Sequence, residues 1–157
     1  MWVARYNGTE NMADSATSVA VSPADDTVFV TGWSRPVGGF AWATIAYNAT
    51  TGAQLWVKAI PAVSTTYFDQ LAVSPSGDTV FVTAATPGAA SGDDYATVAY
   101  SAATGAKQWL KHYNGPGNST DDPSSVAVSP TGNAVYVTGT STGATSGIDY
   151  ATIAYTG

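Results

Sequence analysis

No cysteine occurs anywhere in the 157 residues, so disulfides and thiolate metal sites are excluded. Charge is scarce as well. Asp, Glu, Lys and Arg together make up 10% of the chain, and five basic against eleven acidic side chains leave a net charge of −6. A net-acidic surface repels phosphate backbones and anionic lipid at long range, so neither nucleic acid nor a membrane is an expected partner. Histidine appears once, as His112. No apolar run approaches the roughly 20 residues of a membrane-crossing helix, and the start Met1-Trp2-Val3-Ala4-Arg5 lacks the apolar stretch of a signal peptide.

What the chain does have is repetition. Ala46-Tyr47-Asn48-Ala49-Thr50-Thr51-Gly52-Ala53-Gln54-Leu55-Trp56 returns as Ala99-Tyr100-Ser101-Ala102-Ala103-Thr104-Gly105-Ala106-Lys107-Gln108-Trp109, and a third copy reaches Ala154-Tyr155-Thr156-Gly157 while a Trp stands at position 2. The period of about 53 residues suits one four-stranded propeller blade and exceeds that of the helical solenoid repeats. Because the third copy breaks off inside the motif, the N-terminal strand is expected to complete a blade begun by the C-terminal strands.

Within a repeat, four strands are legible. Trp109 to Tyr113 reads as an outer strand ended by the turn signal Asn114-Gly115-Pro116-Gly117. Ser125-Val126-Ala127-Val128, the turn Ser129-Pro130-Thr131-Gly132-Asn133 and Ala134-Val135-Tyr136-Val137-Thr138 form a hairpin. Its counterparts are Val19-Ala20-Val21 with Val28-Phe29-Val30, and Leu71-Ala72-Val73 with Val80-Phe81-Val82. Ala151 to Tyr155, matched by Ala96 to Tyr100 and Ala43 to Tyr47, reads as the last strand. Strands apolar or small on both faces need cover on both faces, which blades stacked around an axis supply.

The order of Val-Ala-Val-Ser-Pro hairpin, Ala-Thr-Ile-Ala-Tyr strand and Thr-Gly turn resembles bacterial beta-propeller repeats of the SBBP type and, more loosely, WD-repeat blades. The Ala-x-Asn/Ser-x-x-Thr-Gly-x-x-x-Trp segment is similar to the tryptophan-docking motif of quinoprotein dehydrogenases. That resemblance implies structural docking roles for Trp2, Trp56, Trp109, Gly52 and Gly105: the glycine turns the chain and the indole packs between blades. It does not bring a quinone with it, since no residues dedicated to one stand out, and neither a cofactor nor a metal is expected. A surface filled by Ser, Thr, Ala and Gly resembles those of exported bacterial proteins. The expectation is a fragment or engineered excerpt, with Met1 as an engineered start, of a parent that is extracellular or periplasmic.

The expected fold is all-β, a β-propeller of four-stranded antiparallel blades, three per chain, with 1–157 as one propeller segment of three repeats (2–55, 56–108 and 109–157). Propellers close with about 4 to 8 blades, so a three-blade arc leaves apolar faces and strand edges uncovered. Self-association is the expected remedy: a homodimer with six blades is favoured, and a trimer is the alternative.

Comparing the repeats with one another places the variation at one end of the blades. The hairpin turns and Thr-Gly turns barely differ, whereas the loops Asn7 to Thr17, Pro61 to Asp69 and Asn114 to Ser124, and Gly32 to Ala41, Ala84 to Asp94 and Gly139 to Asp149, are dissimilar. Dissimilar loops on a rigid scaffold are where binding usually resides. Candidate ligand-binding residues on that end are Trp33, Arg35, Phe40, Tyr67 and Phe68, whose flat apolar faces suit a sugar ring or a peptide. Asp69, Asp121 and Asp122, with Asp14, are the acidic candidates, able to hold a hard cation if they converge or simply to cap loops. Trp42 replaces Tyr95 and Tyr150 and reads as packing, and Asp94 and Asp149 read as structural. His112 on an outer strand has no partners for a triad, so no catalytic residue is assigned. The functional expectation is a non-enzymatic β-propeller binding or scaffold module that assembles with itself. Alternatives are a glycan-binding, lectin-like propeller and a carboxylate-dependent enzyme.

Overall fold

The computed structural model describes residues 1–36, 39–62, 70–89 and 91–156. Eleven strands are present among them, all antiparallel, in three sheets. The first sheet contains β1 (Asp14–Val21), β2 (Thr27–Ser34), β3 (Phe40–Asn48) and β4 (Gln54–Ala62), in chain order. The second repeats it with β5 (Gln70–Val73), β6 (Thr79–Pro87), β7 (Asp93–Ser101) and β8 (Lys107–Tyr113). The third has three strands, β9 (Asp122–Val128), β10 (Ala134–Gly143) and β11 (Gly147–Thr156). The edge of β11 therefore carries no neighbour among the described residues, and residues 1–8, where an N-terminal strand was expected, form no ladder.

The three sheets pack face to face. β1, β5 and β9 lie side by side, placing the first strand of each hairpin on one line and the Trp strands on the opposite edge. Phe29 and Ala46 of the first sheet, with Trp56, meet Leu71, Val80, Val82, Val98 and Tyr100 of the second. One repeat further on, Phe81 and Ala99 meet Val135 and Val137, with Trp109, Ile153 and Tyr155 against them. The middle sheet is thus buried on both faces, as its uninterrupted small and apolar strands require: Val80, Val82, Ala96, Val98 and Ala99 are all fully covered.

Threonines in these interiors meet their hydrogen-bonding needs within their own sheet. Thr31 Oγ1 donates to the Ala43 carbonyl at 3.3 Å and lies 3.2 Å from Thr44 Oγ1. Since its single proton is used on the carbonyl, Thr44 is the donor between the two hydroxyls. Thr83 with Thr97 repeats the arrangement, and Thr138 with Thr152 does so on the uncovered face of the third sheet.

Between repeats, the indoles of Trp2 and Trp56 reach forward to the turn that follows the next third strand. Trp56 Nε1 donates to the Ala102 carbonyl at 2.8 Å, with its ring 5.9 Å from Phe29 and 6.2 Å from Tyr100. Trp109 stands between Phe81 and Tyr155, 5.8 Å from each. Trp2 donates to the Ala49 carbonyl at 2.8 Å and has Tyr47 at 6.4 Å. The turn glycines Gly52 and Gly105 have φ of 72° and 65°, and a Cβ on either would come within 2.7 and 2.8 Å of the Trp2 and Trp56 rings. Backbone conformation and ring contact both demand glycine there.

The hairpin turns are built on a serine. Ser22, Ser74 and Ser129 each accept, at 3.1 Å, the backbone N–H of Thr27, Thr79 and Ala134. In the first two repeats the same hydroxyl donates to Asp26 at 2.7 Å and to Asp78 at 2.9 Å. The two kinds of turn are tied together, since Ala49 N–H donates to Asp26 O and Ala102 N–H to Asp78 O. This end of the molecule is therefore a hydrogen-bonded rim that fixes where the opposite loops begin.

Two expectations follow. Replacing Trp56 with Ala removes a buried ring and leaves the Ala102 carbonyl without its donor, so Trp56→Ala is expected to lower unfolding stability by about 3–5 kcal/mol in urea denaturation. The hydroxyls of Ser76, Ser74 and Thr79 hold the Asp78 carboxyl below its ordinary value of 3.8. A folded value below the unfolded one stabilises fully above pH 3.8 and ceases to do so as pH falls through the folded value. The stability difference between the wild-type chain and Asp78→Asn should accordingly shrink on acidification below that pH.

Candidate functional site

At the loop end, the geometry of the first sheet brings three of the candidate residues together. Trp33 and Ser34 close β2 and Phe40 opens β3, which sets the rings of Trp33 and Phe40 edge to face at 5.7 Å. The Arg35 guanidinium lies 5.5 Å from the centre of the Phe40 ring. Trp33 and Phe40 are half-buried and Arg35 is exposed, so the cluster offers an apolar surface bordered by a cation. Such a surface can stack on a ring and bond its polar edge. Trp42, opposite Trp33 in the ladder, turns to other work: it is buried against Ala84 and Ala96 of the second sheet. Tyr67, Phe68 and Asp69 lie outside the described residues.

The acidic candidates hold loops in place. Asp121 is fully buried, and its two carboxylate oxygens accept the backbone N–H groups of Gly115 at 2.6 Å and Thr142 at 2.9 Å. Asp14, its counterpart two repeats earlier, accepts Gly8 N–H at 2.9 Å. Asp122 is half-buried at the start of β9, beside Asp121. Asp94 takes a hydrogen bond from Ser91 at 2.7 Å, and Ser146 donates to Asp149 in the same way. Among the described residues, no three His, Asp or Glu side chains converge where a metal ion could sit. His112 is exposed on β8, with Nδ1 3.4 Å from the Thr86 hydroxyl. Next to Asp121, Tyr95 lies fully buried beneath Gly139, where a Cβ would come within 2.7 Å of the phenol oxygen. Burial, with the Asp121 carboxylate as the next cause, pushes the Tyr95 hydroxyl well above its ordinary value.

Reading single residues missed an apolar recess. On the outer face of the first sheet, residues 2–6 cross β3 and leave beside them a cavity of about 230 Å3. Its walls include Val28 and Val30 of β2 and Ile45 and Tyr47 of β3, and Trp2, Ala4 and Tyr6 border it. The signal lay in the repeat: these β2 and β3 positions correspond to Val80, Val82, Val98 and Tyr100, which the second sheet buries against the first.

Residues 108–145 match the family described as SBBP, beta-propeller repeat. No curated protein is matched by the chain. Among solved structures, the chain is similar to one titled Kuenenia stuttgartiensis Hydrazine Synthase, at 16% identity and a TM-score of 0.55. The alignment covers 76% of this chain but only 35% of that one, so the likeness concerns the fold of a part. The third repeat carries the beta-propeller repeat signature, and the antiparallel sheets of this all-β chain are arranged consistently with propeller blades.

Proposed function

We propose that the chain is a non-enzymatic propeller module that assembles with itself and uses its loop end as a binding or scaffolding surface. The observation that carries this reading is the unequal cover of equivalent positions. The middle sheet is buried on both faces, whereas the outer faces of the first and third sheets leave Val19, Val21, Tyr136, Ile148 and Tyr150 exposed. Exposed apolar surface of that kind marks an interaction site. The polar groups at the loop end support a binding rather than a catalytic role, because the Asp121 carboxylate is committed to backbone N–H groups.

The test of assembly is the mass in solution. At micromolar concentration, light scattering should give a multiple of the 16.0 kDa chain mass, with twice that mass as the favoured value. A stable monomer would remove the reading.

A second reading, a glycan-binding propeller, is favoured by the Trp33, Phe40 and Arg35 cluster. A glycan array should then give binders whose signal is lost in Trp33→Ala. Absence of binders, or binding that survives this substitution, would reject it.

A further inference from the structure

The outer faces of the first and third sheets are complementary in the same way as the faces already joined inside the chain. Each internal joint follows one rule. An aromatic from the second strand of one sheet, Phe29 or Phe81, enters between strand valines of the next, beside the indole of its own outer strand. A second aromatic, Trp42 or Tyr95, from the third strand, lies over a small residue at the start of the bend: Trp42 covers Ala84 and Ala96, and Tyr95 covers Gly139.

Applying the rule once more gives Tyr136 and Tyr150 as the next two aromatics. Their next-sheet partners are the valines Val28 and Val30 and the small pair Gly32 and Ala43. These four residues line the cavity on the first sheet. Exposure follows the same pattern. Tyr150 is 87% exposed where its equivalents Tyr95 and Trp42 are 0% and 4%, and Tyr136 is 44% exposed where Phe81 and Phe29 are 6% and 1%. On the receiving face Val19 is 65% exposed where Leu71 is 8%.

The strand edges agree with the faces. In the first two sheets the outer strand pairs with the third strand in one register, Ala46 opposite Trp56 and Ala99 opposite Trp109. Carried to the third sheet, that register sets Trp2 opposite Ala154, Ala4 opposite Thr152 and Tyr6 opposite Tyr150. Trp2, Ala4 and Tyr6 already lie against Ala43, Ile45 and Tyr47 of the first sheet. Trp2 is bonded to Ala49 as Trp56 is to Ala102, yet among the described residues it lacks the second ring that Phe29 gives Trp56 and Phe81 gives Trp109. Trp2 is 37% exposed, where Trp56 is 8%.

We infer that the occupant of the first-sheet cavity is the third sheet of a second copy of this chain. Tyr136 of that copy completes the stack on Trp2, its Tyr150 lies over Gly32 and Ala43 beside Tyr6, and β11 takes residues 2–6 as a fourth strand. This inference rests on the self-assembly reading and specifies the joint that the reading leaves open. Main-chain hydrogen bonds close the free edge of β11 while the tyrosines fill the cavity, so edge and face are satisfied by one docking event.

The experiment uses the 157-residue chain. Tyr150→Ser and Tyr136→Ser alter exposed side chains, and far-UV circular dichroism should show the sheets retained in both. Sedimentation velocity should show self-association weakened about thirtyfold or more in each, as for a central aromatic of an interface. Because the chain has no cysteine, a register test is free of background. Ala4→Cys with Thr152→Cys should give a covalent link between two copies on mild oxidation, and Ala4→Cys with Thr156→Cys should not. If the wild-type chain assembles but the tyrosine variants assemble equally well, or the two cysteine pairs link alike, this joint is wrong while self-assembly stands. A monomeric wild-type chain would overturn both.

Discussion

A strand that is apolar on both faces has no solvent side, and the rest of this structure depends on that constraint. Val80, Val82 and Val98 cannot face water, so the sheet that carries them must lie between two others. Once sheets stack in this way, hydroxyls inside the stack have only their own sheet to bond. The paired threonines answer that need, each pair spending one proton on a carbonyl and one on its neighbour. The Trp56 ring on the outer strand then bridges to the following turn, its N–H donating to the Ala102 carbonyl.

The two ends of the sheets divide the work. At the turn end, serine hydroxyls and backbone bonds tie each hairpin to the neighbouring Thr-Gly turn, and these contacts differ little between repeats. At the loop end, Asp14 and Asp121 hold the backbone of loops whose sequences otherwise diverge. A buried carboxylate bonded to two N–H groups keeps a loop in shape without constraining the side chains it displays. Trp33, Arg35 and Phe40 are displayed from such a frame.

Much of the architecture was legible because the chain contains its own comparison. The hairpins at Val19, Leu71 and Val126, and the strands at Ala43, Ala96 and Ala151, fall where the repeated pattern places them. Their lengths did not. β1 begins at Asp14 rather than at Val19, because Asp14, Ser15 and Ala16 pair with β2 across a register shift that a polar, small-residue segment does not announce. The cluster of Trp33, Phe40 and Arg35 was visible as composition, but its edge-to-face geometry depends on the bend between β2 and β3. By sequence, Asp121 is one of four acidic candidates for a cation site or a loop cap. Its burial could not be read from its type, since a carboxylate enters a protein interior only when backbone donors meet it, and those donors come from residues six and twenty-one positions away. The cavity on the first sheet escaped notice for a different reason: it is formed by what covers the equivalent positions elsewhere, so no single residue signals it.

The glycine at the Thr-Gly turn has an effect beyond its own loop. At Gly105 the space where a side chain would stand is taken by the indole of Trp56, which belongs to the sheet before. The stability of one repeat is therefore coupled to that of the next through a contact between a backbone and a ring, and not only through the broad apolar faces. In a linear array, such nearest-neighbour terms decide whether repeats melt singly or together. A conformational change confined to one turn would release the neighbour's indole, and with it a hydrogen bond and a stacked pair. The array is built to transmit disorder between adjacent units, and so to suppress states in which one repeat is folded while the next is not.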